Sequence, residues 1–98
     1  MYNSIAMDEF YQKEKQEDLT ILDVREVDEF QRGHIPEATN LPLSELAARF
    51  KELDQQTHYY VICHSGARSA NASTFLSQQG FTVTNVMGGM SAWKGAIS

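Results

Sequence analysis

A parallel α/β fold, with a central sheet of about five strands and helices on both faces, is predicted by three observations. Short runs rich in β-branched and aromatic residues alternate with segments of helical spacing. The run Tyr59-Tyr60-Val61-Ile62 is aromatic or β-branched along its whole length, as suits a buried strand. The connections between the segments are short, and no internal repeat or flexible linker interrupts them. With 98 residues, the chain is expected to form one domain over positions 1–98, with a single modest core.

Taken in order, Ser4-Ile5-Ala6 suits a short first strand. A helix follows on which Met7, Phe10 and Tyr11 share a face, and its charged end from Lys13 to Asp18 reads as solvated. Leu19-Thr20-Ile21-Leu22-Asp23-Val24 is the next buried strand. Glu26 to Gln31 is a short helix with Val27 and Phe30 three apart, stopped by Gly33. Ala38-Thr39-Asn40-Leu41 forms a brief strand that Pro42 ends. Ser44 is the expected N-cap of a helix whose apolar face is Leu46, Ala47, Phe50 and Leu53. A turn at Asp54-Gln55-Gln56-Thr57 leads into the strand Tyr59-Tyr60-Val61-Ile62. Ser69 to Gln79 lacks Gly and Pro, suits a helix and stops at Gly80; Phe81 to Val86 is the last strand. Gly88-Gly89 then turns the chain into a short segment carrying Trp93.

Composition narrows the function classes. Hydrophobic residues at 42% and charged residues at 21% are near the globular average, which argues against disorder. Apolar runs are far too short to cross a bilayer and the N-terminus does not read as a signal peptide, so no membrane partner is expected and a cytoplasmic location is. A net charge of −5 argues against general nucleic-acid binding. No apolar stripe beyond those the core requires suggests self-association, so a monomer is expected. His34, His58, His64 and the single cysteine lack the spacing of a closed metal site, and no cofactor is implied.

The strongest chemical signal is Cys63, which ends an apolar strand and opens a short polar loop before a helix. At the carboxyl edge of a parallel sheet, successive backbone N–H groups and a helix N-terminus form a concave site for negative charge. Ser65, Gly66 and Ser69 are small enough for amides to converge there, and Arg68 adds a permanent charge. Together these are expected to lower the Cys63 pKa and favour the thiolate. Asp23 and Arg25 read as structural, holding an ion pair or capping a nearby turn, His34 as satisfying local backbone, His58 as exposed and His64 as a rim residue. Ser65 either donates a hydrogen bond at the site or simply fits the turn. Phe81 and Trp93 read as packing residues.

The loop Cys63-His64-Ser65-Gly66-Ala67-Arg68-Ser69 resembles the active-site loop of rhodanese-domain sulfurtransferases. Leu22-Asp23-Val24-Arg25-Glu26 with Glu29-Phe30, followed by Gly33-His34-Ile35-Pro36-Glu37-Ala38-Thr39-Asn40-Leu41-Pro42-Leu43, resembles the family's first signature. Asn85-Val86-Met87-Gly88-Gly89-Met90-Ser91-Ala92-Trp93 resembles its second. Glu37 departs from the pattern, where family members often carry Gly. The resemblance implies a rhodanese-like fold and a single-domain rhodanese. It also implies Cys63 as the nucleophile that takes a sulfane sulfur from a small donor such as thiosulfate as a persulfide. His64, Ser65, Gly66, Ala67, Arg68 and Ser69 would bind the substrate, with Arg68 orienting an anionic donor. With no second cysteine, the persulfide cannot be discharged through an internal disulfide, so the acceptor is external: cyanide in an assay, glutathione or a thioredoxin-like protein in a cell.

Rival readings share the architecture. A cysteine phosphatase or arsenate reductase also sets a thiolate in a loop of amides ending in Arg, but with five residues between the two, whereas four separate Cys63 from Arg68 here. A docking module would leave the thiol incidental, and a persulfide carrier between proteins would keep the chemistry and change its purpose.

Overall fold

The computed structural model describes residues 1–98. Its strands are β1 (Asn3–Ile5), β2 (Thr20–Asp23), β3 (Thr39–Asn40), β4 (Tyr59–Ile62) and β5 (Val83–Val86). Its α-helices are α1 (Met7–Gln16), α2 (Val27–Gln31), α3 (Leu43–Arg49), α4 (Ala67–Gln78) and α5 (Gly89–Ala92), with a 3-10 turn at Phe50–Glu52 after α3. All strand pairs are parallel, in the order β1-β5-β4-β2-β3. β4 is therefore central, held between β2 through Leu22 opposite Val61 and β5 through Tyr60 opposite Thr84.

Alternation along β4 shows why an all-apolar strand belongs at the centre. Tyr59, Val61 and Cys63 join one core with Leu22, Val24, Leu46 from α3, and Ala72 and Leu76 from α4. Tyr60 and Ile62 join the other with Ile5, Ile21, Val86 and Phe10 from α1. Met90 of α5 and Trp93 pack against this second core. Helices thus cover both faces, as the apolar strand pattern requires. Complete burial of side chains such as Leu22, Ile62 and Leu76 contributes about 1.5–3 kcal/mol each.

Strand order decides where the sheet opens. From β2 the chain moves outward to β3, and from β4 it moves the other way to β5. The crevice between the carboxyl ends of β2 and β4 is thus the switch point at which parallel α/β sheets bind ligands. After β2, Asp23 holds the Arg25 guanidinium with both oxygens and also accepts the Arg25 N–H, while Arg25 Nη2 reaches the Gly33 carbonyl at 2.8 Å. Both residues are buried, so the pair is the structural one expected, and loss of either partner would cost about 3–5 kcal/mol.

Several element boundaries differ from the sequence reading. Ser44 is not an N-cap: α3 starts after Pro42, and the Ser44 hydroxyl donates to Glu26 at 2.8 Å. Ala47 is exposed and lies off the apolar face, because α3 ends at Arg49 and the 3-10 turn re-aims Phe50 and Leu53 into the core. α4 begins two residues before Ser69, since Gly66, with φ of 111°, turns the chain into the helix early. Phe81 precedes β5 and is buried beside Tyr59. Trp93 packs on Phe10 and Tyr11, as expected of a packing residue. His58 is exposed, although its ring stacks on Tyr60 and its Nε2 lies 2.7 Å from Thr84 Oγ1.

Candidate active site

Cys63 follows β4 directly and is only 1% exposed, at the floor of the switch-point crevice. The Gly66 N–H donates to its Sγ at 3.0 Å, and the Ser69 hydroxyl oxygen lies 3.3 Å from the sulfur. That hydroxyl also donates to the Gly66 carbonyl at 3.1 Å, so one proton closes the turn when the sulfur is a thiol and is available to it when it is a thiolate. Burial pushes the Cys63 thiol up. The Ser69 hydroxyl and the backbone N–H groups of Ser69, Gly66 and Ser65 together outweigh it, and the thiol titrates below its ordinary value. The direction agrees with the sequence expectation. Hydrogen bonds lead it, and Arg68 also shares a Coulombic attraction with the sulfur although Glu29 is its main partner.

The loop keeps its shape through α5. Met90 N–H donates to the Cys63 carbonyl and Ser91 N–H to the His64 carbonyl, each at 2.8 Å. A trans peptide points its carbonyl and its following N–H in opposite directions. Drawing these carbonyls toward α5 therefore aims the His64 and Ser65 N–H groups the other way, and the Ser65 N–H stabilises the thiolate. The contact requires Gly89: a Cβ there would collide with the Cys63 carbonyl and approach the His64 carbonyl carbon to 2.6 Å. A Cβ on Gly66 would crowd the Gly88 N at 3.3 Å, so the two glycine turns are packed against each other.

The remaining loop residues are placed as follows. His64 is exposed and lines an open cleft of about 510 Å³ with Arg25, Glu29, Arg32, Gly33 and Ile97. Ser65 is exposed and serves the sulfur through its backbone, and Ala67 starts α4 at the surface. Ser69 is fully buried beneath the sulfur. Arg68 does not reach toward a donor as a free cation: its guanidinium forms a two-pronged ion pair with Glu29 of α2, at 2.6 and 2.9 Å. Glu29 also accepts the Glu26 N–H at 3.0 Å in the capping box of α2. The hydrogen bonds from Arg68 hold the Glu29 carboxyl at a pKa of about 2. His34 stacks on Phe30 with its Nδ1 2.9 Å from the Phe30 carbonyl, a local contact.

A strand-end cysteine in a cradle of amides, braced by a glycine turn, is matched by the family model for the rhodanese-like domain over residues 6–96. The chain belongs to the rhodanese family. It is 32% identical over 95 residues to the thiosulfate sulfurtransferase GlpE of Coxiella burnetii, covering 96% of this chain and 89% of that protein. To the "Putative sulfur carrier protein YrkF" of Bacillus subtilis it is 44% identical over 93 residues, covering 93% of this chain but only half, 50%, of that protein. Among solved structures, the rhodanese-related protein of Thermoplasma volcanium superposes with a TM-score of 0.90 at 39% identity, covering 99% and 98% of the two chains. The rhodanese-like domain protein of Staphylococcus aureus does so at 0.91 with 32% identity, covering 98% and 96%. The rhodanese-like fold expected from the sequence is therefore shown, and relatives are sulfurtransferases or sulfur carriers. Two features escaped sequence reasoning. Glu29 lies 39 positions from Arg68 and had no local signal, whereas Gly88-Gly89 marked the brace without revealing what it holds.

Proposed function

We propose that this rhodanese is a sulfurtransferase that carries a sulfane sulfur as a persulfide on Cys63. The observation that carries the reading is the buried Cys63 sulfur with three loop amides and the Ser69 hydroxyl favouring its anion. In the first step the thiolate electron pair attacks the outer sulfur of a donor such as thiosulfate. The donor S–S bond breaks, its electron pair leaves with sulfite, and Cys63 holds an anionic persulfide. In the second, an external thiolate attacks the terminal sulfur, departs as a persulfide and returns Cys63 to the thiolate. Charge and atoms balance without an oxidant, and splitting the transfer in two is the logic of covalent catalysis. Amides fixed toward the anion stabilise thiolate and persulfide alike without reorganising. The single cysteine of these residues supports an acceptor outside them, such as glutathione, a thioredoxin-like protein or cyanide in an assay.

The name of the carrier relative supports a second use of the same intermediate, in which donor and acceptor are both proteins. Intact-protein mass tests the shared chemistry. Incubation with thiosulfate or cysteine persulfide is expected to add about 32 Da, one sulfur, to Cys63, and cyanide to remove it. Cys63→Ser is expected to keep the circular dichroism of the parent and gain no mass. Transfer activity retained by that variant would sink the mechanism.

A further inference from the structure

We propose that Glu29 is a specificity-determining residue: its ion pair with Arg68 withdraws the loop's cation from donor recognition and steers Cys63 toward persulfide donors over the thiosulfate dianion. The proposal rests on the sulfurtransferase reading above and names the donor class for that site. Three observations carry it. The first is the fork itself, with each guanidinium Nη on its own Glu29 oxygen. The two side chains are 34% and 28% exposed, so water screens them only in part. Glu29 Oε1, which accepts from Arg68 Nη1, also accepts the Glu26 N–H at 3.0 Å, and this second bond holds the carboxylate in place.

The second observation concerns the whole rim. Each guanidinium at the crevice has its own carboxylate: Arg25 with Asp23, Arg32 with Asp28, and Arg68 with Glu29. Glu26, the other carboxylate that acts on Arg68, is occupied by the Ser44 hydroxyl. A doubly charged donor approaching a chain of net charge −5 therefore meets oriented amides and guanidiniums that each face a carboxylate, the exposed Arg32–Asp28 pair being the loosest of the three. The third is topological. Glu29 comes from the helix after β2 and Arg68 from the helix after β4, so the pair joins the two helices that follow the strands flanking the switch point. With its carboxyl titrating at about 2, Glu29 is ionised at any pH where the thiolate forms. A thiol persulfide brings one charge to the reacting sulfur, against two for thiosulfate, and suffers least from this arrangement.

Glu29→Gln tests the idea, since the amide oxygen can still accept the Glu26 N–H while the charge is gone. Alkylation of Cys63 by iodoacetate and iodoacetamide is compared, because the ratio of the two rates cancels the thiolate fraction and reports only the charge that an anion meets. The ratio is expected to rise about fivefold in Glu29→Gln, fall below the parent in Arg68→Gln, and return to the parent value in the double variant. Thiosulfate kcat/KM is expected to rise by a similar factor in Glu29→Gln, mainly through KM, with cysteine persulfide changed less than about twofold. A merely structural role would move both alkylation rates together. An unchanged ratio in both single variants would overturn the proposal. A raised ratio with no persulfide formed from either donor would uphold Glu29's control of charge at the thiol and remove the sulfurtransferase reading instead.

Discussion

In the transfer proposed for Cys63 the thiol must first lose its proton, and the Ser69 hydroxyl leads the groups that favour that loss. The buried hydroxyl sits 3.3 Å from the sulfur and is the foremost of the hydrogen bonds that pull the thiol below its ordinary range against the effect of burial. Ser69→Ala deletes that hydrogen bond, so the Cys63 pKa is expected to rise and the thiolate fraction at neutral pH to fall. Iodoacetamide alkylation at pH 7 should slow about fivefold while the plateau rate at high pH is retained, with the midpoint displaced upward. The Gly66 carbonyl keeps the Ala70 N–H as a partner, so the loop should survive the change. Glu37 makes a second residue-scale case. It is the one non-glycine residue with positive φ, at 69°, where the family pattern often has Gly. A side chain in this left-handed region costs about 1–2 kcal/mol, partly offset by the greater backbone entropy of Gly in the unfolded chain. Glu37→Gly is therefore expected to stabilise by about 0.5–1 kcal/mol, raising Tm by several degrees on the scale of about 4–8 °C per kcal/mol, with sulfur transfer unchanged.

α5 is the shortest α-helix in the molecule, with four residues, yet it braces the cysteine loop. Its N–H groups are spent on the Cys63 and His64 carbonyls, so the loop amides that remain can serve the sulfur. Gly89 packs against those carbonyls with no room for a Cβ and with φ of 57°. Gly89→Ala is expected to push α5 off the loop, destabilising by about 2–4 kcal/mol and lowering transfer at least tenfold at temperatures where the protein stays folded. The measurements are a denaturant melt beside single-turnover persulfide formation, and an unaltered transfer rate would refute the bracing role. The capping box of α2 works on the same scale. Glu26 and Glu29 close the helix start on each other, which holds Glu29 where Arg68 can meet it.

Over the whole molecule, the two cores on opposite faces of β4 hold the crevice open at one edge of the sheet. Phe10 is the largest fully buried side chain and packs on Tyr60 and Trp93 at 5.9 and 5.8 Å between ring centres. Phe10→Ala is expected to cost about 3–5 kcal/mol in a urea melt, and a loss under 1 kcal/mol would show that the α1 face contributes little. Much of this architecture was legible beforehand. Tyr59-Tyr60-Val61-Ile62 offers an apolar side chain to both faces, which suits a central parallel strand, and a cysteine directly after it falls at the edge where ligands bind. The sequence by itself thus determined the α/β class and the location of Cys63, because each follows from local periodicity and the order of the segments. Only tertiary structure decided that Arg68 is paired with Glu29, that the Ser69 hydroxyl leads the groups that lower the thiol, and that α5 aims the loop amides. Those outcomes depend on which groups meet across 39 positions or between separate turns, and no local pattern encodes a charge partner brought there by chain crossover.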